Sequence, residues 1–447
     1  MKICLVTTFP PSGRQLNEYG YHIARELQRN LLVNLTILAD KLTDYAWATD
    51  GNGRPFSASH PEELPGFHVV RCWQSGSLAT PVNLLRTVRR LRPDVVWFNL
   101  VFSTFATQAH PVAAFGGLCA PALVRAMGYY THVTLHHILE HVDFAGAGVR
   151  QEKVFRLGSG IATRTLLKAN SVSVLLSSYR RTLMAKYSAQ NVLLGTHGTF
   201  ERCPSPPDFS QRGNPDYRIL AIGHWGTYKR LETLMDAFPI VVSKFPTARL
   251  VIAGANHHTK PGYWESIRES QKDNPRIDFL GYVAEEAVPK LFRTASIVVL
   301  PYSSATGSSG PAHQACEYGV PIVSADLPDF LAMAAQENMA INFYRTGDAV
   351  DLARQLIELL ESPERQRQAA EQNYAAALRM TMPNVVRHYL RWFELAKRKQ
   401  TIAPSAAWLL DRWRQPRLRP AVRGVFVGFP PHWTLPSSAA EQESPRA

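Results

Sequence analysis

The sequence predicts an α/β protein of two doubly wound parallel-sheet domains facing a central cleft. Three observations predict it. The chain has 447 residues, more than one hydrophobic core usually encloses. Short β-rich runs alternate with amphipathic helical stretches, the pattern of a parallel sheet covered by helices on both faces. That rhythm stops at a proline-rich break and then starts again.

In order, KICLVTT reads as a first buried strand, followed by the helical EYGYHIAREL and then by the strands VNLTILAD, PDVVWFNL, YTHVTLHH and VSVLL. The break, Cys203 to Asp216, holds four prolines and reads as a linker. Beyond it YRILAIG, ARLVIAG, IDFLGY, SIVVLPY and PIVSAD are strands, with a helix around ETLMDAFPIVV. The expected organisation is a first domain over 1–202, the linker 203–216, a second domain over 217–383 and a helix over 384–399 returning to the first. A tail over 400–447 breaks up into proline, arginine and aromatic residues. Open α/β sheets bind ligands at strand C-termini, so two such sheets face to face place a site in the cleft.

Composition narrows the partners. A 45% hydrophobic content is that of a globular chain. Five scattered cysteines, none in a CxxC pair, argue against a disulfide framework or a zinc ribbon and point to a reducing cytoplasm. The N-terminal apolar run is too short for a signal peptide and ends at Pro10 and Pro11. Val95 to Val124 lacks any charged residue, but its Asn, Gln, His, Gly and Pro residues favour a buried strand plus an apolar helix over a membrane span. That helix could still present a membrane-facing surface. A formal charge of +13 favours anionic partners such as nucleotides, phosphorylated sugars or acidic lipids. No nucleic-acid module is recognisable.

Two loops carry the chemistry. In AIGHWGTYKRLETL a strand ends at Ile222 and Gly223, leaving His224, Trp225 and Lys229 in a loop that opens a helix; a cation beside a helix N-terminus makes a phosphate site. A solvated surface lysine is the competing reading of Lys229. In TGSSGPAHQACEYGVP the residues Thr306, Gly307, Ser308, Ser309 and Gly310 offer backbone N–H groups and hydroxyls, and Pro311 suits a first helical turn. Helix capping alone would need a single hydroxyl.

From Ile219 to Asp326 the ordered series AIGHWGTYK, LVIAG, FLGYV, VVLPY and TGSSGPAHQACEYGVPIVSAD resembles the nucleotide-binding domain of retaining GT-B glycosyltransferases of family 4. The first half, with KICLVTTFPPSG, VTLHH and the approach to the linker, is similar to that family's N-terminal domain, so the resemblance covers about Met1 to Arg398. It implies a GT-B fold of Rossmann-like domains and transfer from a nucleotide-diphosphate sugar of UDP or GDP type. The acceptor would be a glycan, a lipid-linked molecule or a small molecule. No cofactor and no metal are implied, the nucleotide sugar being a substrate.

The resemblance puts Lys229 on the donor diphosphate, with Gly223, His224 and the backbone of Gly307, Ser308, Ser309 and Gly310. His224 stands where the family commonly has arginine. Tyr282 and Val283 fall where backbone holds the base, and His136 where a histidine faces the donor sugar. Lys229 and His136 are thereby the candidate catalytic residues. Near the N-terminus the family's paired glycines are Arg14 and Gln15 here, after Gly13. The family's paired glutamates are Thr306, expected at the sugar, and Gln314, expected at the ribose. Glu317, one turn on, either compensates at the ribose or faces solvent. Loss of both glutamates leaves a second reading, a catalytically degenerate GT-B binding or partner subunit.

A remote alternative is a zinc peptidase, because HILEH (His137 to His141) fits H-x-x-E-H. It requires a helix where VTLH reads as a strand entering a loop. The tail mixes Trp413, Phe426, Phe429 and Trp433 with arginines. It reads either as a peripheral contact with an anionic membrane surface or as a solvated tail.

Overall fold

The computed structural model describes residues 1–12, 14–42, 66–107, 111–141, 152–209, 217–257, 260–304 and 307–412. The first half runs β1 (Lys2–Val6), α1 (Asn17–Gln28), β2 (Asn34–Asp40), β3 (Val69–Trp73), α2 (Thr80–Leu91), β4 (Val95–Leu100), α3 (Pro111–Ala126), β5 (Tyr130–Leu135), α4 (Glu152–Leu166), β6 (Ser171–Val174), α5 (Ser177–Tyr187) and β7 (Val192–Leu194). These strands form one sheet in the order β3-β2-β1-β4-β5-β6-β7, parallel throughout. The order reverses between β1 and β4, which opens a crevice beyond their C-terminal ends. All six residues of β4 are buried, as expected of a central strand covered on both faces.

The second half runs β8 (Arg218–Trp225), α6 (Glu232–Lys244), β9 (Arg249–Asn256), α7 (Tyr263–Ser270), β10 (Ile277–Gly281), α8 (Val288–Arg293), β11 (Ile297–Leu300), α9 (Gly310–Glu317), β12 (Ile322–Ala325), α10 (Pro328–Glu337), β13 (Ile341–Tyr344), α11 (Ala349–Leu360), α12 (Pro363–Arg379) and α13 (Met382–Arg412). Its sheet, also parallel, is ordered β10-β9-β8-β11-β12-β13 and reverses between β8 and β11.

Each face of the first sheet has its own apolar set. Cys4, Val6, Val96 and Phe98 meet Leu84, Val88, Leu118, Val124 and Leu166 of α2, α3 and α4. Ile3, Leu5 and Trp97 on the opposite face meet α1 and the start of α13. The Trp97 ring lies 4.5 Å from Tyr389 and 5.4 Å from Phe393. Met1–Phe393 forms one compact unit, and α13 from Glu394 onward belongs to another. Within the second unit α13 runs on to Arg412, where a break-up after Gln400 was expected. Ala, Leu and Trp residues of good or neutral helix propensity carry it past Pro404.

The expected end of β8 needs correcting, and the remote zinc alternative lacks the helix it requires. Strand β8 does not stop at Gly223 but continues through His224 and Trp225, in register with Ala255 and Asn256 of β9. The pairing is close because Gly254, at φ 107°, has no Cβ: one there would fall 1.8 Å from the Gly223 carbonyl oxygen. Residues Leu139–His141 form a single 3-10 turn, so His137 and His141 do not share a helical face. His141 instead bonds Thr182 through Nε2 at 3.0 Å. Among the described residues no group of His, Cys, Asp or Glu has the arrangement of a metal site.

Candidate active site

The site is assembled where β1, β4 and β5 end in the first domain and β8 and β11 end in the second. Lys229 lies just beyond β8, in an antiparallel bridge to Tyr302 just beyond β11. Its Nζ sits 4.9 Å above the Tyr302 ring, and its stem passes Gly223, where a Cβ would come within 3.3 Å of Lys229 Cδ. Lys229 stands ahead of α6 rather than in its first turn. Burial lowers its pKa below the ordinary lysine value, with Tyr228 acting the other way. It forms no salt bridge among the described residues. A half-buried cation without a carboxylate partner favours binding an anion there.

His224 is exposed and Trp225 is buried, its Nε1–H given to the Ala253 carbonyl at 2.9 Å. The glycine loop folds over the C-terminal end of β5. Gly307 has φ 76°, and a Cβ on it would lie 2.5 Å from the His136 carbonyl oxygen. This close approach joins the two domains across the cleft. The Gly307 N–H, expected at a phosphate, is instead donated to Asp329 Oδ2 at 2.9 Å. Ser308 is half-buried with Oγ 3.9 Å from Met333 Sδ. Ser309 caps α9, its Oγ accepting from the Ala312 N–H at 3.4 Å. A Cβ at Gly310 would meet nothing within 4 Å, so the helix start is open.

His136 donates from Nε2 to Asn99 Oδ1 at 2.7 Å, while Asn99 Nδ2 donates to Thr7 Oγ1 at 3.1 Å. Burial, and after it the neighbouring His137, drops the His136 pKa to about 3, so the ring is neutral. With Nε2 carrying the proton, Nδ1 is an acceptor. Tyr19 of α1 packs edge-on against this ring at 4.8 Å and against His197 at 4.6 Å. His197 in turn lies 4.3 Å from His313 of α9. His313 bonds the Ser309 carbonyl through Nδ1 at 2.7 Å and Glu337 Oε2 through Nε2 at 2.8 Å. Both partners are acceptors, which makes the ring an imidazolium.

The remaining sequence candidates are dispersed. Gln314 is half-buried on α9. Glu317, one turn on, neither reaches a ribose nor faces solvent. It is buried, and its two carboxylate oxygens accept the Phe200 and Glu201 N–H groups where the chain leaves the first domain. Tyr282 and Val283 follow β10, the edge strand two places from β8. Arg14 is half-buried and Gln15 exposed, the Gln15 carbonyl accepting from Thr8 Oγ1 at 2.7 Å. Gly13, Thr306 and the tail from Trp413 lie outside the described residues. Sequence reasoning missed Tyr19, Asn99, His197, His313, Asp329 and Glu337. Only Asp329 left a signal, an acid in the first turn of a helix after a Leu-Pro pair.

Residues 216–362 match the family described as glycosyl transferases group 1. An 88-residue segment is 32% identical to mannosylfructose-phosphate synthase of Agrobacterium fabrum, covering 18% of this chain and 19% of that protein. The match thus spans about a fifth of that curated relative's length. Among solved structures, sucrose-phosphate synthase from Thermosynechococcus elongatus superposes with a TM-score of 0.66 at 15% identity, over 88% of this chain and 98% of the other. The Anabaena protein HepE, solved with UDP-glucose, gives 0.60 at 15% identity, over 88% and 99%. The chain therefore has the GT-B fold, and its 216–362 segment is similar to the glycosyl transferases of group 1.

Proposed function

We propose that the protein is a retaining glycosyltransferase that moves a sugar from a UDP or GDP sugar to a carbohydrate or lipid-linked acceptor. The observation that carries this reading is Lys229, half-buried at the reversal point of the second sheet and without a carboxylate partner among the described residues. A diphosphate there would be met by the lysine and by the open start of α9, so the charge balance calls for no metal. The UDP-glucose in HepE, on the same fold, is consistent with such a ligand.

In this reading the protein mostly positions its reactants. Lys229 stabilises charge developing on the departing diphosphate, and that diphosphate takes the acceptor's proton as the new glycosidic bond forms on the same face. Neutral His136 offers the sugar an uncharged hydrogen-bonding group, oriented by Asn99. The missing glutamates favour a second reading, a nucleotide-binding subunit without turnover.

Isothermal titration should show binding of UDP or GDP, weakened at least tenfold by Lys229→Ala with the fold intact by circular dichroism. Unchanged affinity would remove Lys229 from the site. A protein that binds nucleotide yet neither hydrolyses nor transfers from any member of a UDP- and GDP-sugar panel would favour the second reading.

A further inference from the structure

We infer that the outer face of the helical layer formed by α2, α3 and α4 is a docking surface for a bilayer containing anionic lipid. The first observation is an apolar stripe. On α3 and its extension, Phe115, Leu123 and Met127 are exposed at helical spacing, and the neighbouring α4 exposes Leu157 and Ile161 one turn apart, Leu157 at 68%. The stripes adjoin, because Gly158 of α4 has no side chain and the Phe115 ring lies over it, 3.0 Å from where a Cβ would be. By contrast α6, α10, α11 and α12 each expose one large apolar residue, which is ordinary for a surface helix.

The second observation is charge. Helices α2, α3 and α4 together carry seven basic residues and one acidic residue, Glu152. On α11 and α12 of the second domain two arginines are neutralised within their own helix, Arg354 by Asp351 and Glu358, and Arg367 by Glu364 and Glu371. Arg86 and Arg89 on α2 have no such partner among the described residues. Where α3, α4 and α5 end, Arg125, Arg164 and Lys168 line an open hollow of about 400 Å³ whose lining contains no carboxylate. The Arg164 guanidinium there rests on the Tyr187 ring at 5.1 Å, and Arg125 donates to the Lys168 carbonyl at 2.6 Å. An apolar stripe flanked by uncompensated arginines complements a layer of acyl chains beneath anionic headgroups. A soluble acidic protein would satisfy the charges but not the stripe.

No described helix is long and apolar enough to cross a membrane, so the contact is peripheral. Helices of such a layer run antiparallel to their strands, which puts Phe115 and Leu157 at the end of the layer nearest the cleft. An acceptor carried on a lipid would then reach the site from the docked face. That corollary rests on the glycosyltransferase reading, whereas the surface itself does not.

The test is co-sedimentation of the full chain with vesicles of phosphatidylcholine alone or with 30% phosphatidylglycerol. Binding to the anionic vesicles should exceed binding to the neutral ones at least tenfold and fall steeply with salt. Leu123→Gln/Leu157→Gln/Ile161→Gln should reduce it at least tenfold, and Arg86→Gln/Arg89→Gln by about fivefold per cation removed. All five positions are exposed, so unchanged thermal unfolding serves as the folding control. Absence of vesicle binding, or binding unaffected by either variant, overturns the proposal. So does a self-associated species in sedimentation velocity that the triple variant abolishes without any vesicle binding, which would assign the stripe to a second copy. Vesicle binding needs no turnover: a chain that docks but binds no nucleotide sinks the glycosyltransferase reading alone, and the reverse sinks this one alone.

Discussion

Asp329→Ala should cost about 3–5 kcal/mol of stability and weaken nucleotide binding at the same time. The Asp329 carboxylate is buried at the first turn of α10, where the helix dipole favours a negative charge. Groups from both domains converge on it. Tyr179 of α5 donates its hydroxyl to Oδ2 at 2.5 Å, Gly307 donates its N–H to the same oxygen at 2.9 Å, and His141 Nδ1 lies 3.5 Å from Oδ1. Truncation would leave the buried Tyr179 hydroxyl without the acceptor it donates to and would remove the bond from the Gly307 N–H. It would also free the loop that is held against the His136 carbonyl.

The pH dependence of this contribution has a definite sign. Burial raises the Asp329 pKa, but the neighbouring His141 ring and the hydrogen bonds from Tyr179 and Gly307 outweigh it and hold the carboxyl below the ordinary aspartate value. A depressed folded pKa means the stabilisation is fully present above the unfolded value of about 3.9 and is lost as pH falls through the folded one. Urea unfolding at pH 7 should therefore separate wild type from Asp329→Ala by the full amount, and the gap should narrow toward pH 3. Asp329→Asn, which keeps one acceptor, should fall between them. A difference under about 1 kcal/mol at pH 7 would show that the convergence is geometric only.

The strands were legible in the sequence because each buried strand is a short continuous apolar run, as in VVWFNL and SIVVL. The end of β8 was misread because Gly223 and His224 interrupt its apolar run, while the pairing to β9 depends on Gly254, some thirty residues away. At the site, Lys229 and the glycine loop were legible because one local segment holds both the chemistry and the turn. Asp329 left only the acid after its Leu-Pro pair, since Gly307 lies 22 positions away and Tyr179, 150 positions away, meets it only once the two sheets face each other. Glu317 shows the same limit. A carboxylate on α9 near a proposed ribose site looks functional in sequence, yet both its oxygens are used by N–H groups 116 and 117 positions earlier.

The second large effect belongs to His313 and Glu337. Glu337→Leu should destabilise the protein by about 3–5 kcal/mol, because the His313 imidazolium would lose its buried counter-charge. His313→Leu alone should cost a similar amount, and the double variant should recover part of the loss, since an apolar pair of similar volume needs no desolvated ions. Burial lowers the His313 pKa, but the Glu337 carboxylate more than offsets this and the net shift is upward. A raised folded pKa gives a contribution fully present below the unfolded value of about 6.5 and lost as pH rises through the folded one. Glu317 acts in the same direction. Its burial carries the carboxyl up to about 7 despite the Phe200 and Glu201 N–H groups, so the native state loses stability as pH climbs from the unfolded glutamate value toward 7. Melting temperature should consequently decline between pH 6 and 8.5 in the wild type. The decline should be shallower in the double variant and shallower still when Glu317→Gln is added. The readout that separates this from plain packing is ligand affinity. His313 Nδ1 holds the Ser309 carbonyl, so the double variant, even where its stability recovers, should bind UDP more weakly because the loop at the α9 start has lost its anchor. Recovered stability with wild-type affinity would confine the pair to the core and detach it from the site.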